Sequence, residues 1–160
     1  MAVQLMLKEL QPNLWEANLE RCVDYGHTFS PTIEMRALPE LLHGEAVNID
    51  MALSSVISFN RGLMSRLDLD RIFNVMRGFE LPTWNSLLEK PKVLNEALTD
   101  TLRHRRGKQR IPLPVGIGEY TFINDLTEDE LASSVAQLKV ISNTSESEST
   151  GLRPWQKTQG

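Results

Sequence analysis

The chain has 160 residues, 41% of them apolar and 24% charged, with a formal net charge of −4. That length supports one modest domain with a real core, and the composition is ordinary for a globular chain. The acidic balance excludes a broad basic footprint for nucleic acid or an anionic membrane, and the single cysteine, Cys22, excludes an internal disulfide.

The opening MAVQLMLKEL lacks a basic stretch before its apolar run, so no secretory leader is expected, and a reducing cytoplasm is the expected compartment. Val3, Met6, Leu7 and Leu10 fall on one helical stripe, which Pro12 should stop. LWEANLERCVDY, with Leu14, Leu19 and Val23, predicts a second helix or a turn. Gly26 frees the backbone just before His27. Pro31 suits the first turn of a short helix through TIEMRAL, which Pro39 limits.

From Gly44 onward EAVNIDMALSSVISFNRGLM is apolar on most sides, through Val47, Ile49, Met51, Leu53, Val56, Ile57 and Phe59. That is the pattern of a central helix surrounded by others, with Gly62 at its end. It contains Asn48 and Asp50 and is too short to span a bilayer. Asp68 is expected to N-cap the next helix, which ends at Gly78 before Pro82. PKVLNEALTDTLRH is amphipathic through Val93, Leu94, Ala97, Leu98 and Leu102. RHRRGKQRIPLPVGIGEYTFI is basic, then rich in Pro and Gly, and reads as a loop with one or two short strands near residues 111–123. TEDELASSVAQLKVI opens with Thr127 and Glu130 at capping-box spacing. From Ser142 the composition turns polar, and residues 142–160 are expected to be disordered. Trp15 and Trp84 are expected to be partly buried anchors and Trp155 to be exposed. The fold class is therefore mainly α over residues 1–141, with no internal repeat.

Two histidines, His27 and His43, carry the strongest chemical signal. Neutral imidazoles ligate zinc or cobalt, and each needs an acceptor on its other nitrogen to fix the tautomer. The chain has no HExxH pattern, so a shared site needs the fold to bring the pair together, and by sequence alone two histidines read more often as structural or surface residues than as ligands. Nearby Asp24, Glu34 and Glu45 suit a supporting shell, helix ends or solvated charge. The run Arg103, His104, Arg105, Arg106, Lys108 and Arg110 suits a phosphate monoester or a solvated loop. Cys22 reads as a packing residue. No Walker A or GxGxxG pattern is present, so a nucleotide-binding part would lie outside this chain.

The stretch DYGHTFSPTIEMRALPELLHGEAVNIDMA resembles the dehydroquinate synthase-like sugar-phosphate cyclases, on Gly26-His27-Thr28, Glu34 and Leu42-His43-Gly44-Glu45. The resemblance covers residues 1–141. Asp24 stands where dehydroquinate synthase proper has Asn, and Pro31 where it has a second His. With HTFSP, NIDMA and HRRGKQRIPLPVGIG, the wording is similar to the sedoheptulose 7-phosphate cyclase branch. Within that branch it is most similar to the demethyl-4-deoxygadusol synthases, whose motifs the 2-epi-5-epi-valiolone synthases share.

The resemblance implies a mostly helical C-terminal domain whose N-terminal NAD-binding partner domain lies outside residues 1–141. It implies that His27 and His43 bind a divalent metal, zinc or cobalt, completed by a Glu from the other domain. It implies a phosphate-eliminating lyase reaction on a sugar phosphate, in which NAD transiently oxidises a hydroxyl and an intramolecular aldol step closes the ring. Asp24 would be a catalytic or substrate contact, Arg105, Arg106 and Lys108 substrate-binding groups, and Glu34 and Glu45 supports behind the metal ligands. The complete enzyme would be a homodimer, and this chain alone would be inactive. Two other readings stay open: an enzyme acting on the dehydroquinate synthase substrate, and a non-catalytic helical interaction module.

Overall fold

The computed structural model describes residues 2–15 and 17–149. Helix α1, Ala2–Leu10, runs into a 3₁₀ turn at Gln11–Asn13, and a second 3₁₀ turn follows at Cys22–Asp24. Then come α2 (Ser30–Ala37), α3 (His43–Asn60) and α4 (Arg66–Gly78), a 3₁₀ turn at Ser86–Glu89 and α5 (Pro91–His104). Strands β1 (Ile111–Val115) and β2 (Glu119–Ile123) form an antiparallel hairpin, and α6 (Glu128–Ser149) closes the order. Among the described residues no helix is long and apolar enough to cross a membrane.

Helix α3 is the axis of the fold. Ala46, Ile49, Ala52, Leu53, Val56 and Ile57 are all fully buried. They leave almost no solvent face because α2, α4, α6 and β1 all pack against α3. Fully buried Ile33, Leu69, Ile111, Leu113, Leu131 and Leu138 come from those neighbours. Each such side chain contributes roughly 1.5–3 kcal/mol of burial. The helix expected to be central is central.

The hairpin sits against the C-terminal end of α3. Its register pairs Ile111 with Ile123 and Val115 with Glu119, and Gly116 and Gly118 turn the chain at positive φ (58° and 100°). Pro112 and Pro114 are tolerated because β1 has a partner on one side only. Ser58 donates to the Pro114 carbonyl, and the Gly116 N–H reaches the Leu63 carbonyl at 3.0 Å.

Of the helix or turn expected over residues 14–25, the described residues show turns. The Asn13 carboxamide spans the bend, accepting from the Asn18 N–H at 2.9 Å and donating to the Asn18 carbonyl at 2.5 Å. Such side-chain bonds offer the backbone an alternative to helix. Three expectations differ from the structure. Trp15 is no buried anchor, being 91% exposed, whereas Trp84 packs on the core. The cap of α4 is Ser65, whose Oγ accepts from the Asp68 N–H at 3.1 Å; Asp68 stands inside the first turn. Finally, α6 does not stop at Ile141. It continues to Ser149, and Ser142 is buried with its hydroxyl 2.9 Å from that of Thr83. A helix already fixed by packing propagates through polar residues that would not start one. Residues 150–160, with Trp155, lie outside the described residues.

Candidate metal and substrate site

His27 sits in the tight segment between the Cys22–Asp24 turn and α2, and three contacts fasten that segment to α3. Tyr25 places its hydroxyl 3.0 Å from Ser55 Oγ and donates to the Met51 carbonyl at 3.2 Å. Burial and the neighbouring Asp50 push the Tyr25 phenol up to about 12, against the pull of the Ser55 hydrogen bond. Gly26 has φ +80°, and a Cβ there would meet Met51 Cγ at 2.7 Å and Val47 Cγ1 at 3.0 Å. Only glycine supplies both that backbone angle and that approach. Beyond His27, the N–H groups of Thr28, Phe29 and Ser30 all donate to Asp50 Oδ2, at 2.8, 2.5 and 2.8 Å.

His43 is the first residue of α3, so the same helix carries both anchors. The Leu42 N–H is satisfied by the Glu45 carboxylate at 2.8 Å, which is the support Glu45 gives to the helix end. The two imidazoles come together, with ring centroids 5.8 Å apart and planes tilted by 52°. Each has its Nδ1 engaged: His27 at 3.2 Å from the Tyr25 carbonyl, His43 at 2.8 Å from Glu34 Oε2. Partners on Nδ1 fix ring orientation and leave Nε2 for a ligand. That donor chemistry fits a divalent cation. Among the described residues no group of three or more His, Cys, Asp or Glu side chains is arranged to hold an ion, so the pair needs further ligands from elsewhere.

A cleft of about 710 Å³ opens beside His27, between the Cys22–Asp24 turn, α2 and α5. Asp24, Pro31 and Arg105 line it, as do Arg21, Glu96 and His104. The Asp24 carboxylate takes two bonds from Arg21, at 2.8 and 3.2 Å, and lies 3.8 Å from Arg105 Nη2. Arg105 is 8% exposed and donates through Nη1 to the carbonyls of Gln109 and Arg110, at 2.9 and 2.8 Å. Burial lowers its pKa, while Asp24 pulls it back up. Arg106 and Lys108 are exposed and line no part of this cleft, so of the basic run only His104 and Arg105 reach it. The reason is local: α5 ends at His104, and Arg106 and Gly107 turn the chain outward at positive φ (56° and 78°).

Sequence reasoning missed Asp50. Its signal was a carboxylate inside a helix that is apolar on most sides, where an acid survives only if something satisfies it. Arg21 was also missed, since nothing local shows that it would fold back on Asp24.

The 3-dehydroquinate synthase C-terminal family matches residues 1–103. The chain belongs to that family. A 2-epi-5-epi-valiolone synthase from Streptomyces albus is 66% identical over 134 residues, covering 84% of this chain and 32% of that protein. The demethyl-4-deoxygadusol synthase of Trichormus variabilis is 38% identical over 138 residues, covering 86% of this chain and 33% of that protein. A solved 2-epi-5-epi-valiolone synthase from Streptomyces hygroscopicus subsp. jinggangensis, with NAD+ and Zn2+ bound, superposes with a TM-score of 0.85 at 53% identity, covering 88% of this chain and 39% of that one. This family member thus spans about a third of the length of the curated relatives it matches. The comparisons correct the emphasis read from the motifs: identity to the valiolone synthase is well above that to the deoxygadusol synthase.

Proposed function

We propose that the chain is the metal- and substrate-binding C-terminal part of a sedoheptulose 7-phosphate cyclase whose product is 2-epi-5-epi-valiolone. The observation that carries this reading is the histidine pair, two imidazoles 5.8 Å apart with both Nδ1 atoms engaged, with His27 lining a cleft of about 710 Å³ that also holds Asp24 and Arg105. Identity of 66% to a 2-epi-5-epi-valiolone synthase supports the choice of product.

His27 and His43 hold a divalent cation, zinc or cobalt, through their Nε2 atoms, with the remaining ligand from outside this chain. When bound, that ion polarises substrate oxygens and NAD supplies reversible hydride transfer. Glu34 keeps His43 in the ligating tautomer. Asp24, held by Arg21 and Arg105, accepts a hydrogen bond from a substrate hydroxyl and fixes its orientation. Arg21 and Arg105 offer charge-assisted donors to the phosphate, a role their fork geometry suits. Pro31 lines the cleft without a donor, so it shapes that wall and does not bind. Arg106 and Lys108 would serve substrate only from outside this cleft.

The exposed apolar side chains of Val3, Met6, Leu7, Leu14 and Trp15 support a docking face for the remainder of the cyclase, including its NAD-binding domain.

The test is an assay of the chain within the complete cyclase, supplied with sedoheptulose 7-phosphate, NAD and Zn2+ or Co2+, with the product identified by NMR. The expected product is 2-epi-5-epi-valiolone with release of inorganic phosphate, and His27→Ala or His43→Ala should remove both the metal and turnover. Demethyl-4-deoxygadusol would overturn the product, and metal retained by the double variant would overturn the ligands.

A further inference from the structure

The Asp50 carboxylate is fully buried, and among the described residues no cation bonds to it, Arg105 acting on it only through its longer-range charge. Burial of an acid without a bonded cation is costly, and here it pushes the carboxyl above its ordinary range. Three backbone N–H groups at the entrance of α2 and the Ser54 hydroxyl, at 3.3 Å, offset that cost. A hydrophobic residue there would leave the Thr28, Phe29 and Ser30 N–H groups without that acceptor, so the acid answers the entrance of α2 and not the packing of the core. What the acid does is local. Its three donors begin at the residue directly after His27, and Asp50 stands two helical turns after His43 on the same rigid helix.

We propose that Asp50 is the positioning residue of the histidine pair: by gathering the Thr28, Phe29 and Ser30 N–H groups, it holds His27 at the separation from His43 that a shared ligand requires. The Ser30 hydroxyl completes the device by donating to the Gly26 carbonyl at 2.6 Å, which closes the turn around His27. Asp50 touches neither imidazole, so it acts through the backbone. The importance of this role rests on the metal reading above, whereas the geometry it fixes can be measured without metal.

The experiment compares the full chain with Asp50→Asn and Asp50→Ala. Amide hydrogen exchange and the through-space contact between the His27 and His43 rings are followed by NMR, and Zn2+ affinity is measured by competition with a chromogenic chelator. Asp50→Asn keeps an acceptor of the same shape but weakens three charge-assisted bonds. Expected are exchange at Thr28, Phe29 and Ser30 at least tenfold faster, a weakened ring contact, and unchanged exchange in α6. Zn2+ affinity should fall at least tenfold in Asp50→Ala and by less in Asp50→Asn. Faster exchange spread evenly over all helices, or an unchanged ring contact in Asp50→Asn, overturns the proposal, and the Asn variant decides if Asp50→Ala does not fold. A wild-type chain that shows the ring contact yet whose weak Zn2+ binding is indifferent to His27→Ala and His43→Ala would sink the metal reading and leave the positioning result standing.

Discussion

At the scale of single residues, the position of His27 depends on a glycine before it and a carboxylate beneath it. Gly26 combines φ +80° with a Cβ direction blocked by Met51 Cγ at 2.7 Å and the Val47 carbonyl at 3.1 Å. Alanine there must either strain the backbone or push α3 away, and α3 is the most buried element. Gly26→Ala should therefore destabilise the fold by about 1–3 kcal/mol, read as the midpoint shift in chemical denaturation at constant m-value. It should also weaken metal binding, because any relief of the clash moves His27. A variant as stable as the parent would mean that the turn relaxes freely and does not fix the imidazole. Residue-scale chemistry was legible only where a motif carried it. Gly26, His27, Glu34, His43 and Glu45 stand in one short stretch, and the family resemblance of that stretch, not the spacing alone, singled them out. Arg21 on Asp24 and Asp50 under His27 could not be read, because both depend on where the chain folds back.

At the scale of elements, periodicity located the helices well and their ends less well. The extent of α3 was visible because an all-round apolar pattern has one comfortable place, the centre. The cap of α4 was misplaced by three residues, because Ser65 and Asp68 are both good caps and only the backbone decides which lies at the boundary. Over residues 14–25 the pattern allows a helix or a turn, and the Asn13 side chain, by taking local backbone groups, favours the turn. Between elements, one polar tie is Arg61 at the end of α3. It grips Glu130 in α6 with two bonds, at 2.5 and 2.7 Å, and reaches exposed Asp125 at 2.7 Å. These carboxylates hold the guanidinium firmly charged. The tie joins α3 to α6 without touching the histidine pair. Arg61→Ala should thus cost roughly 1–2 kcal/mol of stability, a bidentate, partly shielded pair being worth more than an exposed one. A double-mutant cycle with Glu130→Ala should show coupling of about 1 kcal/mol that shrinks at high salt. Zero coupling would make the contact ornamental, and loss of Zn2+ affinity in Arg61→Ala would contradict the independence of the two ends of α3.

At the scale of the molecule, the apolar surface is unevenly satisfied. The core around α3 is closed, yet α1 carries Val3 at 71% exposure with Met6 and Leu7 about half exposed, and Leu14 and Trp15 beyond it are exposed as well. Val3, Met6 and Leu7 fall on one stripe of α1, so they form a coherent face rather than scattered exposures. The sequence announced that stripe but not its direction: an amphipathic pattern says that a face wants burial, not that this chain supplies the cover. If the remainder of the cyclase supplies it, the chain by itself must solve the same problem another way. We expect it to self-associate through this face, seen as a sedimentation coefficient that rises with concentration. Replacing Met6 and Leu7 by Glu should return it to monomer without changing helix content, because both side chains already face solvent. The same pair of substitutions in the complete cyclase should instead separate its two parts, lowering NAD-dependent turnover while the isolated chain keeps its His27–His43 contact. A chain that stays monomeric at every concentration would remove the apolar face as a docking surface and favour a self-sufficient helical module.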